Sequence, residues 1–249
     1  MLAVGSCATE TRGGQAREPL RPGVTWQIQL SGKIDTSVNA QVFDIDLLDT
    51  PVAVVRTLKR KHRQVLCYFS AGTDEDYREP SQRFPPATRG APLPDYHDEH
   101  WLDIRQTDKL EPVIERRLDR CKQHGYFGVD FDNVDGYANK SGFPLKAADQ
   151  LRYNRYLAQA AHARGLAAGL KNDLGQVPKL AGSFDFAINE QCFQYHECGV
   201  LNRYFVKRGK PVFHIEYRQK PRQFCPRAKR LGFSSLYKRL GLGAYRRAC

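Results

Sequence analysis

The feature that most constrains this chain is a repeated alternation. Eight short runs rich in β-branched and aromatic residues are separated by stretches of helical character, the pattern of a βα repeat. The runs are TWQIQL (25–30), AQVFDIDL (40–47), QVLCYFS (64–70), YFGVDFD (126–132), LAAGLKN (166–172), FDFAINE (184–190), PVFHIEY (211–217) and LGFSSLY (231–237). Eight parallel strands are what a closed barrel requires, and 249 residues suit one such domain. The connecting stretches agree where they can be tested. In residues 106–124, Leu110, Val113, Ile114, Leu118 and Cys121 form one apolar stripe, and Gly125 follows as a stop. Residues 147–164 place Leu151, Asn154, Leu157, Ala158 and Ala161 on one face and end at Gly165. Residues 52–62 read as a shorter basic helix. The predicted fold class is α/β: a single (β/α)8 TIM barrel over residues 23–249.

Two segments stand outside this repeat. Residues 72–105, interrupted by Pro80, Pro85, Pro86, Pro92 and Pro94, are too long for an ordinary connection and read as a functional excursion over one end of the barrel. Residues 1–22 read as a signal-peptide remnant followed by a tether. Their LAVGSCATE segment resembles a lipobox, with Cys7 as a lipid anchor. No run approaches the roughly 20 apolar residues that a membrane helix needs.

There are seven cysteines, no CxxC pair and no histidines at zinc spacing from them. Disulfides in an exported protein fit this pattern, with an extracellular or cell-envelope location. Setting Cys7 aside leaves an even number for bridges, and Cys192–Cys198 is the favoured pair.

The net charge of +12 is local. From Asn202 to Cys249 there are 14 Lys/Arg and one acid, Glu216; the remainder has 25 Lys/Arg and 26 acids. This basicity reads as a solvated face, with an anchor to an anionic surface as the competing reading. Nucleic-acid binding is not expected, because no aromatic-interleaved basic stripe or recognisable motif is present.

Polar residues gather at the C-terminal ends of the strands: Asp44 and Asp46; Tyr68 and Ser70; Asp130, Asp132, Asn133 and Asp135; Lys171, Asn172 and Asp173; Asn189, Glu190 and Gln191; Glu216 and Tyr217. That end of a parallel barrel holds the active site. Any single acid could cap a helix or pair at the rim, but Asp132 and Glu190 are the preferred catalytic candidates. Cleaving a glycosidic bond needs two carboxyl groups, one handling the proton at the leaving oxygen and one meeting the oxocarbenium-like centre. Lys171, on the strand between those of Asp132 and Glu190, could hold Asp132 ionised. Spacing does not assign the two roles.

There is no GxSxG elbow, P-loop or GxGxxG turn. Asp130, Asp132 and Asp135 have a spacing that can converge on a divalent cation, but neither a metal nor a cofactor is expected. His196 and His214 are isolated in the sequence.

Together these motifs carry a resemblance. GYFGVDFDNVDGYANKSGFPL with DQLRYN, then GLAAGLKND, FDFAINEQCFQYHEC and KPVFHIEY, resemble family 114 of the glycoside hydrolases, the endo-α-1,4-polygalactosaminidases and related secreted proteins. TWQIQLSGKID, CYFSAGTDEDYR, WLDIR and the C-terminal segment extend the match over residues 24–249. The resemblance implies a (β/α)8 barrel acting on α-1,4-linked galactosamine-containing polysaccharide with retention, Asp132 being the nucleophile and Glu190 the acid/base. It further implies that Asp44, Asp130 and Asp173 meet a cationic amino sugar, with Lys171 and Asn172 beside them. Trp26, Tyr68 and Tyr217 are expected to pack on sugar faces. The expected partner is the polysaccharide, and the expected state a monomer.

The chain departs from the family pattern at Asp130 and Phe131, where Glu and Pro are usual, and over residues 73–80. The alternative reading is a non-catalytic glycan-binding barrel of the cell envelope.

Overall fold

The computed structural model describes residues 19–249, so Cys7 and the lipobox reading lie outside the described residues. Eight parallel strands follow one another around a curled sheet: β1 (Trp26–Gln29), β2 (Val42–Asp46), β3 (Gln64–Ser70), β4 (Gly128–Asp132), β5 (Ala167–Lys171), β6 (Phe186–Glu190), β7 (Val212–Glu216) and β8 (Ser234–Tyr237). Each falls within one of the eight expected runs. Six helices follow six of them: α1 (Val52–Arg60) after β2, α2 (Thr107–His124) after β3, α3 (Ala147–Ala163) after β4, α4 (Val177–Leu180) after β5, α5 (Cys198–Tyr204) after β6 and α6 (Pro221–Arg230) after β7. Among the described residues no helix follows β1 or β8.

The period of two along each strand sorts residues into two environments. Phe43, Ile45, Val65, Phe69, Val129, Phe131, Ala168 and Leu170 face outward into the helical layer, meeting Leu110, Ile114, Leu118 and Leu157. Trp26, Ile28, Val42, Leu66, Phe186, Ile188, Phe213, Ile215 and Leu236 form a separate apolar cluster inside the barrel. Gly169 makes room for it, since a Cβ there would come within 2.2 Å of the Phe186 ring.

Trp26 belongs to this interior floor. It is 1% exposed, its ring lies 4.9 Å from Phe213, and its Nε1 donates to Ser234 O. The expectation that Trp26 packs against a sugar face is therefore corrected: it begins β1, at the end of the barrel opposite the strand C-termini.

β1 and β8 are not joined by a ladder. The C-terminal tail turns back instead, and Arg247–Ala248 pairs antiparallel with β8. Its neighbours then bond to β1: Leu30 N donates to Leu242 O, Gln27 Nε2 to Ala244 O, and Arg246 Nη2 to Trp26 O. With no helix over β1, the buried outer-face amide of Gln27 needs such a partner.

The sequence reading of paired cysteines holds for all six described ones: Cys67–Cys121, Cys192–Cys198 and Cys225–Cys249 are disulfides. Three bridges fit an exported protein.

The expected excursion carries a small antiparallel sheet in which Glu99–Leu102 lies between Thr73–Glu75 and Arg89–Pro92. Ion pairs tie it down. Arg83 and Arg89 each bridge Asp74 and Asp76, and Arg78 holds Glu75 and Asp46. The segment 73–80 is thus a stapled wall.

Candidate active site

At the top of the apolar floor the inward positions turn polar. Asp44, Tyr68, Asp130, Asp132, Lys171 and Glu190 stand at inward positions of β2 to β6, and Tyr217 follows β7. The strands stop abruptly there. Asn133, Asn172 and Gln191, directly after Asp132, Lys171 and Glu190, have φ of 60°, 47° and 64°. Asn tolerates this left-handed region better than most residues, so the chain leaves each strand at once and the last strand residue is kept at the mouth.

Asp132 is held as an anion. Tyr68 Oη donates to its Oδ2 at 2.6 Å, Asn133 N to Oδ1 at 2.9 Å, and Lys171 Nζ lies 3.1 Å from Oδ1. Burial works against the charge, but Lys171 and these donors outweigh it and keep the carboxyl below the usual range. The Asp132 side chain remains 19% exposed, so a ligand can reach it. Lys171 is 2% exposed; burial opposes its charge, yet Asp130, Asp132 and Glu190 keep it firmly protonated.

Glu190 is gripped by different groups. Tyr217 Oη donates to its Oε1, and Asn172 Nδ2 approaches Oε2 at 3.4 Å. Asn172 Oδ1 accepts from Glu190 N at 2.9 Å and from Asn189 Nδ2 at 3.2 Å, which fixes the amide's orientation.

Asp44 and Asp130 lie behind this layer at 0% exposure, so neither can touch a polymer directly, contrary to expectation. Burial, and then the Asp130 charge, lifts Asp44 well above the usual carboxylate range. Burial also lifts Asp130, against the pull of Lys171, 3.6 Å away.

Asp173 is likewise turned away. It accepts from Asn154 Nδ2 of α3 at 3.0 Å. Burial and the charge of Asp135 push it up to about 8. Glu216, counted among the strand-end acids, points outward to His214 and to the amides of Phe193 and Gln194. His214 is therefore not isolated. Among the described residues the group spaced for a metal is Cys192, Cys198 and His214, but the two cysteines are joined as a disulfide.

The family model of glycoside hydrolase family GH114 matches residues 8–249. The chain belongs to glycoside hydrolase family GH114. The crystal structure of Aspergillus fumigatus Ega3 in complex with galactosamine is similar to this GH114 chain at 36% identity and a TM-score of 0.88, covering 96% of this chain and 100% of Ega3. The glycoside hydrolase domain of PelA from Pseudomonas aeruginosa shares the fold at 14% identity and a TM-score of 0.70, over 90% of this chain and 98% of that domain. An uncharacterized Deinococcus radiodurans protein is 27% identical over 252 residues, 87% of this chain and 79% of the relative.

The protein is thus a glycoside hydrolase on a TIM-barrel fold, and the excursion supplies site residues that sequence reasoning missed. Glu99 Oε2 accepts from Thr73 Oγ1 at 3.0 Å and from Asn133 Nδ2 at 3.4 Å, beside Asp132. Burial and the charges of Glu75 and Asp132 raise Glu99 to about 7. Burial, and then the charges of Glu190, Glu99 and Asp132, raises the phenol of Tyr96, a half-exposed residue of the excursion. The signal available in sequence was the length of the excursion; nothing in it singled out Glu99.

Proposed function

We propose that this GH114 enzyme hydrolyses an α-1,4-linked galactosamine-containing polysaccharide with retention, using Asp132 as nucleophile and Glu190 as acid/base. The observation that carries the reading is the contrast between the two carboxyls. Asp132 is held ionised by an ammonium, a phenol and an amide N–H, whereas Glu190, two strands on, is oriented by a phenol and a side-chain amide. An ionised, immobilised carboxylate suits attack on the anomeric carbon. Glu190 would give its proton to the departing glycosidic oxygen, leaving a glycosyl ester on Asp132. Glu190 would then take a proton from the water that cleaves this ester, which restores both groups.

The substrate class is supported by charge as well as by likeness to Ega3. Asp132, Glu190, Glu99 and Asp135 surround the mouth, with Lys171 as the cation among them. Burial first, and then the charge of Asp132, lifts Asp135 to about 6, so part of the shift reflects surplus negative charge. A protonated amino sugar relieves that surplus.

The test is Asp132→Asn and Glu190→Gln on partly deacetylated α-1,4-galactosamine polymer, counting reducing ends. Each variant is expected to lose about 10³-fold or more in rate, as loss of a group acting directly in the transition state does, with its far-UV spectrum unchanged. Wild-type rates in either variant would overturn the assignment. Polymer binding without reducing ends from the wild type would favour the non-catalytic barrel instead.

A further inference from the structure

Glu216, the one acid among the 14 Lys/Arg after Asn202, is buried and engaged by His214 and two amides. Among the described residues none of those 14 cations makes an ion pair. Several are absorbed otherwise: Lys210 and Arg246 by backbone carbonyls, Lys238 by Gln27 and Gly243 O, and Arg208 and Arg227 over aromatic rings. Lys220, Arg222 and Arg247, all exposed, line one cleft of about 410 Å³ together with Pro221, Tyr237 and Tyr245.

The cleft is built rather than incidental. One wall is the start of α6 and the other is the returning tail. The Cys225–Cys249 disulfide joins them, and Arg247 pairs with Tyr237 in the tail's short ladder. The guanidinium of Arg239 lies 4.7 Å over the Tyr245 ring, which meets Tyr237 edge-on at 6.4 Å. The cleft is also separate from the barrel mouth. Tyr237 pairs in register with Glu216, which faces the outer layer, whereas Tyr217, one residue on, faces Glu190.

We propose that this cleft is a second glycan site, taking an oligosaccharide that carries carboxylates, a run of uronic acid residues. Guanidinium groups pair with carboxylates in bidentate geometry, and tyrosine offers an apolar face to a sugar ring with a polar tip beside it. A disulfide-fixed cleft loses little freedom on binding. The cations converge on one pocket instead of tracking a line of phosphates, which favours an acidic sugar over a nucleic-acid strand. A polycationic substrate is repelled from this wall, but an acidic polymer bound there can hold the enzyme where such a substrate is complexed with polyanions. The site stands whether or not Asp132 and Glu190 catalyse.

The test uses the full chain with its disulfides intact. Trigalacturonate and hexagalacturonate are titrated calorimetrically at low salt, against neutral galactohexaose and a single-stranded dT oligomer of matched charge. Saturable binding of the galacturonates is expected. It should weaken as salt rises, fall tenfold or more in Arg222→Glu/Arg247→Glu, and remain unchanged in Asp132→Asn. If the double variant does not fold, Lys220→Gln and Tyr245→Ala should each weaken binding at least threefold. Equal or tighter binding of dT, absence of saturable galacturonate binding, or variants that bind like the wild type would each overturn the proposal.

Discussion

Lys171 Nζ lies 3.1 Å from Asp132 Oδ1, on the strand next to it and beneath the mouth. The same ammonium stands 3.6 Å from Asp130, so one buried cation serves two carboxyls. Lys171→Met removes the main force opposing the burial of Asp132. The Asp132 pKa then rises, and the acid limb of the kcat/KM profile should move to higher pH by about one unit or more, with kcat down roughly 10²-fold. Removing one member of a buried charge cluster costs about 3–5 kcal/mol, so the melting temperature should fall as well. A pH profile that does not move would show that Lys171 serves only the fold.

Tyr217→Phe takes the phenol from Glu190 without changing the ring. A hydrogen bond is worth about 0.5–1.5 kcal/mol, so kcat/KM should drop roughly 3- to 10-fold while the fold persists. Steady-state kinetics on the galactosamine polymer measure this. Unchanged kinetics would remove Tyr217 from the mechanism.

Asp173 should make stability pH-dependent. Its folded pKa of about 8 lies above the value of about 3.9 for an unperturbed Asp, so between these the folded chain binds more protons than the unfolded one. Stability therefore falls as pH rises from about 4 to 8. Asp173→Asn keeps an acceptor for Asn154 and removes that pH dependence. The variant's melting temperature relative to wild type should rise between pH 5 and pH 8; a constant difference would contradict the burial argument.

Gly72→Ala tests the link between backbone packing and Asp132. A Cβ at Gly72 would fall 1.6 Å from Asn133 O, and the amides of Ala71 and Gly72 both donate to Asp132 O. The substitution should force β3 and β4 apart at their ends. It should lower the melting temperature, with activity reduced beyond what the lost stability explains. A variant active like the wild type would mean that the mouth tolerates the shift.

The strands were legible because a barrel repeats one local rule. Period-two apolar runs such as VFDID and GVDFD, and helices that stop at Gly125 and Gly165, declare themselves within about 20 residues. The strand-end positions of Asp132 and Glu190 were legible for a related reason: an acid ending an apolar strand is conspicuous. Trp26 misled because a strand-borne aromatic has the same local signature at either end of a barrel. Glu99 went unseen because it reaches the mouth only through the pairing of residues 73–75 with 99–101 and its bond to Thr73.

By itself, then, the sequence determined the eight strands, the helices between them and the two carboxyls at strand ends, since each follows from residues close in the chain. Tertiary structure decided which acids reach solvent. Asp44 and Asp132 are both inward on barrel strands, but Asp44 is sealed beneath the mouth beside Asp130, while Asp132 keeps an open edge. It also decided what surrounds each charge. Lys171, Tyr68 and Asp132 come from three strands, and the basic tail closes the seam between β8 and β1, more than 200 residues away in the chain. The electrostatics that tune a carboxyl depend on distance in space, which local patterns along the chain do not carry.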